Sequence, residues 1–404
     1  MESSASERIA RAIRAALLPG RRTFDVCLAS LVVVAAFACM GSVARAGPMF
    51  QGLGDVSGGI FDSVAQGLSG DGTMVVGVGN SASGEEAFYW TAGGGLTGLG
   101  DLPGGTFGSR AFATTADGSV IVGVGDRVGG STSQAFRWTA SGGMVGLGDL
   151  DGGIIGSGAM DITPDGSVIA GYGSTAEGRE AVSWNALGEI TGLGQMDGST
   201  DSRARGVSAD GLTIFGDSIG IESGNFEAWR WGEAEGFTNL GALPGGEGRS
   251  QRAFDVSADG SVVVGYGYDE SYLRAFRWTE ENGMESLGDF PGGVQSLARA
   301  ITPDGSVIVG AGTVPGDPYA ISAAAIWDDA HGMRSIQDIL VDLGIDMSGW
   351  TLLEATAVTP DGQTICGVGF NPYSKYEAWV ATIPEPASLC LLGLGALVCL
   401  NRRR

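Results

Sequence analysis

Arg252-Ala253-Phe254-Asp255-Val256-Ser257, then Asp259-Gly260, then Ser261-Val262-Val263-Val264-Gly265, reads as two short β-rich segments joined by a tight turn. Its framework, Ala-x-x-φ-Ser/Thr-x-Asp-Gly with φ usually aliphatic, occurs seven times, about every 47 residues. The alanines are Ala65, Ala111, Ala159, Ala204, Ala253, Ala298 and Ala355. The turns are Asp71-Gly72, Asp117-Gly118, Asp165-Gly166, Asp210-Gly211, Asp259-Gly260, Asp304-Gly305 and Asp361-Gly362. A repeat of this period signals a solenoid or a propeller. Apolar pairs equivalent to Val263-Val264, such as Ile121-Val122 and Ile308-Val309, suit a strand buried on both faces.

Working outward, a third strand follows at Ala275-Phe276-Arg277-Trp278, with counterparts at Ala87 to Trp90, Ala135 to Trp138, Ala181 to Trp184, Ala228 to Trp231 and Ala324 to Trp327. The seventh copy reads Ala378-Trp379-Val380-Ala381, with its Trp at the Phe position. A fourth strand runs from Gly283 to Gly288, its leucine nine residues after the third-strand Trp. Leu99, Leu147, Leu193, Leu240 and Leu287 keep that spacing, and Ile336 does so in the sixth copy. Four short strands repeated seven times predict an all-β fold, a seven-bladed β-propeller of four-stranded blades. Length varies between strands two and three and in an insertion near Asp338 to Leu353, where loops are free to acquire function. The seventh copy lacks a fourth strand, while Phe50 to Asp55 is an orphan fourth strand whose Phe50 and Leu53 match Met284 and Leu287. The ring is therefore expected to be closed by this N-terminal strand, paired near Glu377 to Ala381.

Leu-Gly-Asp, the paired glycines, the Asp-Gly turn and Ala-Phe-x-Trp resemble the HAF-repeat family of bacterial extracellular proteins, over roughly residues 50 to 380. The chain departs from that pattern before the third-strand Ala, where it has Glu86, Gln134, Glu180, Glu227, Arg274, Ala323 or Glu377 and never His. The resemblance implies location and architecture rather than a reaction.

Both ends read as addresses. Five arginines, Arg8 to Arg22, precede an apolar run from Val26 to Met40, and Ala44-Arg45-Ala46 places small residues where a signal peptidase reads. Residues 1–46 are thus expected to be a secretory signal peptide cleaved after Ala46. Arg21-Arg22-Thr23-Phe24 resembles a twin-arginine motif, although Asp25 stands where an apolar residue is usual, so the export route stays open. At the other end, Pro384-Glu385-Pro386 precedes an apolar stretch from Ala387 to Leu400 and a terminal Arg402-Arg403-Arg404. That stretch spans about 21 Å as a helix, against a hydrocarbon core of ~30 Å. Residues 383–404 resemble the PEP-CTERM sorting signal of Gram-negative bacteria. The resemblance implies export, transient membrane anchoring through this segment and processing by an exosortase-type transpeptidase, with a permanent tail anchor as the alternative.

Residues 47–382, the expected propeller, hold 14 of the 23 basic and 42 of the 46 acidic residues, a net charge of about −28. That excludes a nucleic-acid backbone as partner and suits an extracellular destination. Cys366 is the single cysteine of this body, so no internal disulfide forms, and it stands at a column of small apolar residues.

No catalytic constellation emerges, and no catalytic, cofactor or metal residues are assigned. His331, the only histidine, is expected at a turn before Gly332. The seven turn aspartates each offer one carboxylate without the D-x-D-x-D spacing of a calcium loop, and the turn role accounts for them. Two functions remain: a non-catalytic surface or matrix module that binds a partner, with polysaccharide as the candidate, or a carbohydrate-active propeller enzyme. Three carboxylates converging in an axial cleft would favour the enzyme, and a filled channel the module.

Overall fold

The computed structural model describes residues 47–104, 106–126, 133–153, 156–314 and 323–384. The signal-peptide positions Ala44 and Ala46, the sorting residues Glu385 and Pro386 and the apolar stretch 387–400 lie outside them. Among the described residues no helix is long and apolar enough to cross a membrane.

From Pro48 onward the chain forms seven four-stranded antiparallel sheets. Blades 1 to 6 begin with innermost strands Val64–Leu68, Ser109–Thr114, Gly158–Ile162, Ser199–Val207, Gln251–Val256 and Ser296–Ile301. Blade 7 comprises Thr351–Val358, Thr364–Phe370 and Tyr376–Thr382, and its outer strand is Met49–Gly52. Phe50 pairs with Ala381, Gln51 with Val380 and Gly52 with Trp379, so the N-terminal strand closes the ring as the repeat phase requires.

Every innermost strand carries a β-bulge at the residue after its alanine, from Ala65/Gly67 to Ala355/Ala357. The bulge brings a carbonyl against the second strand where the sequence has glycine. A Cβ at Gly265 would overlap the Arg252 carbonyl oxygen, and the other six blades repeat this.

The apolar pairs of the second strand face opposite neighbours. Val75 packs with Cys366 and Val380 of blade 7, whereas Val76 packs with Ala111 and Phe136 of blade 2. Among the described residues each of the seven blade interfaces has its own apolar cluster, and the inner alanines are buried in them. Cys366 is fully buried, which pushes its thiol up to about 12.

Polar clamps reinforce these interfaces. Ser109 Oγ donates to the Gly100 carbonyl at 2.6 Å and accepts from Ala87 N at 3.0 Å, tying blade 2 to blade 1. Ser157, Ser202 and Ser296 do the same at later seams. Ser63 makes the identical clamp to Ala378 N and Gly54 O, so the closing seam has the construction of the continuous ones.

The insertion after blade 6 contains a short helix, α1 (Ile336–Asp342), capped by Ser335, whose side chain accepts from Asp338 N. Ile336, expected as the strand-four apolar residue, instead opens this helix and is buried with Leu340, and the blade's outer strand ends at Ser335.

Candidate functional site

The bulge decides what lines the axis. It turns the residue after each repeat alanine inward, producing a ring of Gln66, Phe112, Met160, Arg205, Phe254, Arg299 and Thr356 around a cavity of about 490 Å³. Unlike the repeat alanines beside it, this column does not repeat in chemistry. Arg299 forms an ion pair with Glu354 and lies 4.4 Å over the Phe254 ring. Arg205 bonds Asp217 at 2.6 Å, and Thr356 Oγ donates to the Ala65 carbonyl at 3.0 Å.

Asp161 and Asp255 border this cavity and a narrower one of about 190 Å³ toward the Asp-Gly turns. Equivalent positions hold Gly67, Ala113, Gly206, Ala300 and Ala357. Each aspartate bridges two blades: Asp161 accepts from Val207 N at 3.0 Å, and Asp255 from Ile301 N at 2.8 Å. Each also accepts from the next amide in its own strand. Burial pushes Asp161 up to about 6 and Asp255 to about 7, the latter with a contribution from the Asp161 charge. These values lie in the range of general acid–base groups.

A second cavity of about 470 Å³ adjoins the first, sharing Phe112, Met160 and Arg205, and is walled by Arg110, Arg179 and Arg203. Among the described residues the axial cavity is lined by inner strands, and the adjoining one also by second- and third-strand residues such as Tyr172 and Arg179.

The turn aspartates are not brought together. Each accepts the hydroxyl of the Ser or Thr two residues earlier, as Asp259 does from Ser257 at 2.8 Å, and the amide two residues later, as from Ser261 at 3.0 Å. These bonds hold Asp117, Asp165 and Asp259 down at about 2. His331 sits half-exposed in an outer hairpin, 2.7 Å from Asp328. Among the described residues, no three His, Cys, Asp or Glu side chains are grouped to hold a metal ion. Pro384, the last described residue, follows the strand ending at Thr382, with Ile383 N bonded to the Gln363 carbonyl.

Asp161 and Asp255 were not singled out in the sequence, yet a signal exists: two carboxylates interrupt a column of glycine and alanine.

Residues 382–404 match the family model of the PEP-CTERM protein-sorting motif, which implies an exported protein processed by an exosortase. No curated protein matches the sequence. The fold is similar to oligogalacturonate lyase from Vibrio parahaemolyticus, at 11% identity over 84% of this chain and 98% of that one, with a TM-score of 0.52. It is also similar to an oligogalacturonate lyase in complex with manganese, at 14% identity, 84% and 98% coverage and a TM-score of 0.51. TolB from Acinetobacter baumannii aligns at 13% identity over 88% of this chain and 69% of its own, with a TM-score of 0.44. At these identities the likeness concerns the fold alone.

Proposed function

We propose that this chain is an exported, surface- or matrix-associated propeller that binds a glycan at its axial mouth without transforming it. The observation that carries the reading is the inner-strand column facing the axis. Alanines, glycines and turn residues repeat around the ring, whereas this column supplies two arginines, two phenylalanines, Gln66, Met160 and Thr356 to a cavity of ligand size. The resemblance of residues 50–380 to HAF-repeat extracellular proteins and the sorting motif agree with that address.

One observation favours the second reading, a carbohydrate-active enzyme: Asp161, Asp255 and Glu354 all border the axial cavity, two of them with raised pKa values. Against it, both aspartates are committed to backbone amides across blade seams, and Glu354 is paired with Arg299. A structural role accounts for all three.

The test is a glycan array probed with the exported protein, followed by hydrolase and lyase assays on every positive glycan. Binding without turnover supports the module. Turnover that disappears in both Asp161→Asn and Asp255→Asn establishes the enzyme instead.

A further inference from the structure

We propose that the groove beside the axial cavity, over blades 2 to 4, selects a carboxylate-bearing oligosaccharide. This rests on the glycan-binding reading and specifies its ligand class.

The charge count runs against that of the body. Residues 47–382 carry about −28, yet four arginines here share two carboxylates. Asp201 meets Arg203 at 2.8 Å and Arg179 at 3.5 Å. Asp217 meets Arg205 at 2.6 Å and Arg252 at 3.4 Å. With Asp126, which also lines the groove, four guanidinium charges stand against three carboxylates and leave one positive charge in excess. Around the same mouth Arg110 pairs with Glu85 at 2.6 Å and Arg299 with Glu354, while Asp161 and Asp255 are held by backbone amides. Asp126, on the blade 2 wall, accepts from Thr106 Oγ at 2.7 Å.

Donor capacity matches this surplus. Among the described residues, the buried Arg179 Nε has no hydrogen-bond partner, and the hydrogen bond of Arg205 is made through Nε to Asp217. A guanidinium offers five N–H donors in a planar fork that fits a carboxylate. Net repulsion from the distant acidic surface is screened beyond the Debye length, ~8 Å at physiological salt, so the local surplus decides short-range recognition.

The cross-strand pair just before each repeat alanine varies around the ring: blade 2 has Arg110 opposite Val124 and blade 7 has Glu354 opposite Val368. Blade 1 has Val64 opposite Val78 and blade 6 has Leu297 opposite Ala311. Blades 3, 4 and 5 have Gly158–Tyr172, Arg203–Asp217 and Arg252–Tyr266. Tyr172 occupies the space that a side chain at Gly158 would fill, where a Cβ would come within 2.6 Å of its ring. The Arg179 guanidinium stands 5.5 Å from that ring, on the groove wall. An aromatic face beside unsaturated forks is the recognition set for a sugar acid, with the pyranose against the ring and the carboxylate in the fork. A groove of about 470 Å³ that adjoins the axial cavity suits a chain of such sugars better than a single small anion.

Calorimetric titration of the exported protein with tetramers of galacturonate, mannuronate and glucuronate, each as free acid and as methyl ester, tests this. At least one acid is expected to bind at least tenfold more tightly than its ester. Arg179→Gln should weaken the acid tenfold or more and leave the ester unchanged, and Arg205→Gln, which also borders the axial cavity, should weaken the acid tenfold more than the ester. Both variants keep an arginine on the shared aspartate, Arg203 or Arg252, and unaltered melting confirms their fold. Equal affinity for acid and ester, loss of neither in the variants, or binding of neutral glycans alone overturns the proposal and leaves the glycan-binding reading standing. An array on which nothing binds overturns that reading itself.

Discussion

Leu53→Ala tests the closure of the ring in the most controlled way, because the repeat supplies its own reference. Leu53 is 6% exposed and packs with Ala65, Val75, Phe88 and Val380 across the seam of blades 7 and 1. Leu240 is 3% exposed in the corresponding place of blade 4, where the chain is continuous. Truncating a buried leucine to alanine costs ~2–5 kcal/mol, transfer and cavity terms together. If the borrowed strand is as firmly seated as the continuous ones, Leu53→Ala and Leu240→Ala should fall within about 1 kcal/mol of each other in that range. Adding Phe50→Ala removes a partly buried ring 4.9 Å from Trp350, a further ~1–3 kcal/mol. Deleting residues 47–56 also removes the ladder from Met49 to Gly52, exposing the edge of Tyr376–Thr382 and promoting association. Urea unfolding followed by tryptophan fluorescence gives the midpoints, and light scattering the association. A Leu53→Ala midpoint near the parent's, beside a large shift for Leu240→Ala, would show that the seam is loose and refute the argument.

Asp255→Asn should change stability with a pH-dependent sign. Its folded pKa of about 7 lies above the unfolded 3.8, so the native state binds the extra proton and stability falls as pH rises between those values. At pH 8 the charged form costs ~4 kcal/mol at 1.36 kcal/mol per unit, so Asn should raise the melting temperature there and not at pH 4; a pH-independent difference contradicts this. The turn aspartates run the other way, their depressed pKa values giving stability present above 3.8 and lost as pH falls toward about 2, which acid titration of melting should show. Gly260→Ala, at φ 72° with the Cβ against Thr213, should lower the urea midpoint more than Gly283→Ala, at φ 68° in open space, where the left-handed cost of ~1–2 kcal/mol stands alone; equal shifts would discount the contact. Intact-mass measurement on surface material from the native host should lack Arg402 to Arg404, and a full C-terminus would contradict processing at the sorting motif.

The ring was legible in the sequence because burial on both faces imposes the same residue types on every blade. Even the phase of closure could be read, since Phe50 and Leu53 fit a column defined by Met284 and Leu287. The axial site was harder to see. Its residues occupy the position where packing constraints relax, so Arg205 and Arg299 look like noise until the bulge shows which way that column points. The serine clamps were visible as a recurring Ser two residues before the alanine, but their partners lie on another blade. Helix α1 had a local signature, Ser335 as cap with Ile336 and Leu340 one turn apart, masked by the expectation of a fourth strand there.

A crystal structure of the protein with its strongest array-positive glycan tests the central claim most directly. Sugar in the axial cavity, in contact with Phe112, Arg205 and Phe254 at the mouth opposite the Asp-Gly turns, is the predicted result. Sugar seated on the outer strands or against the turn face, with that cavity empty, would contradict it.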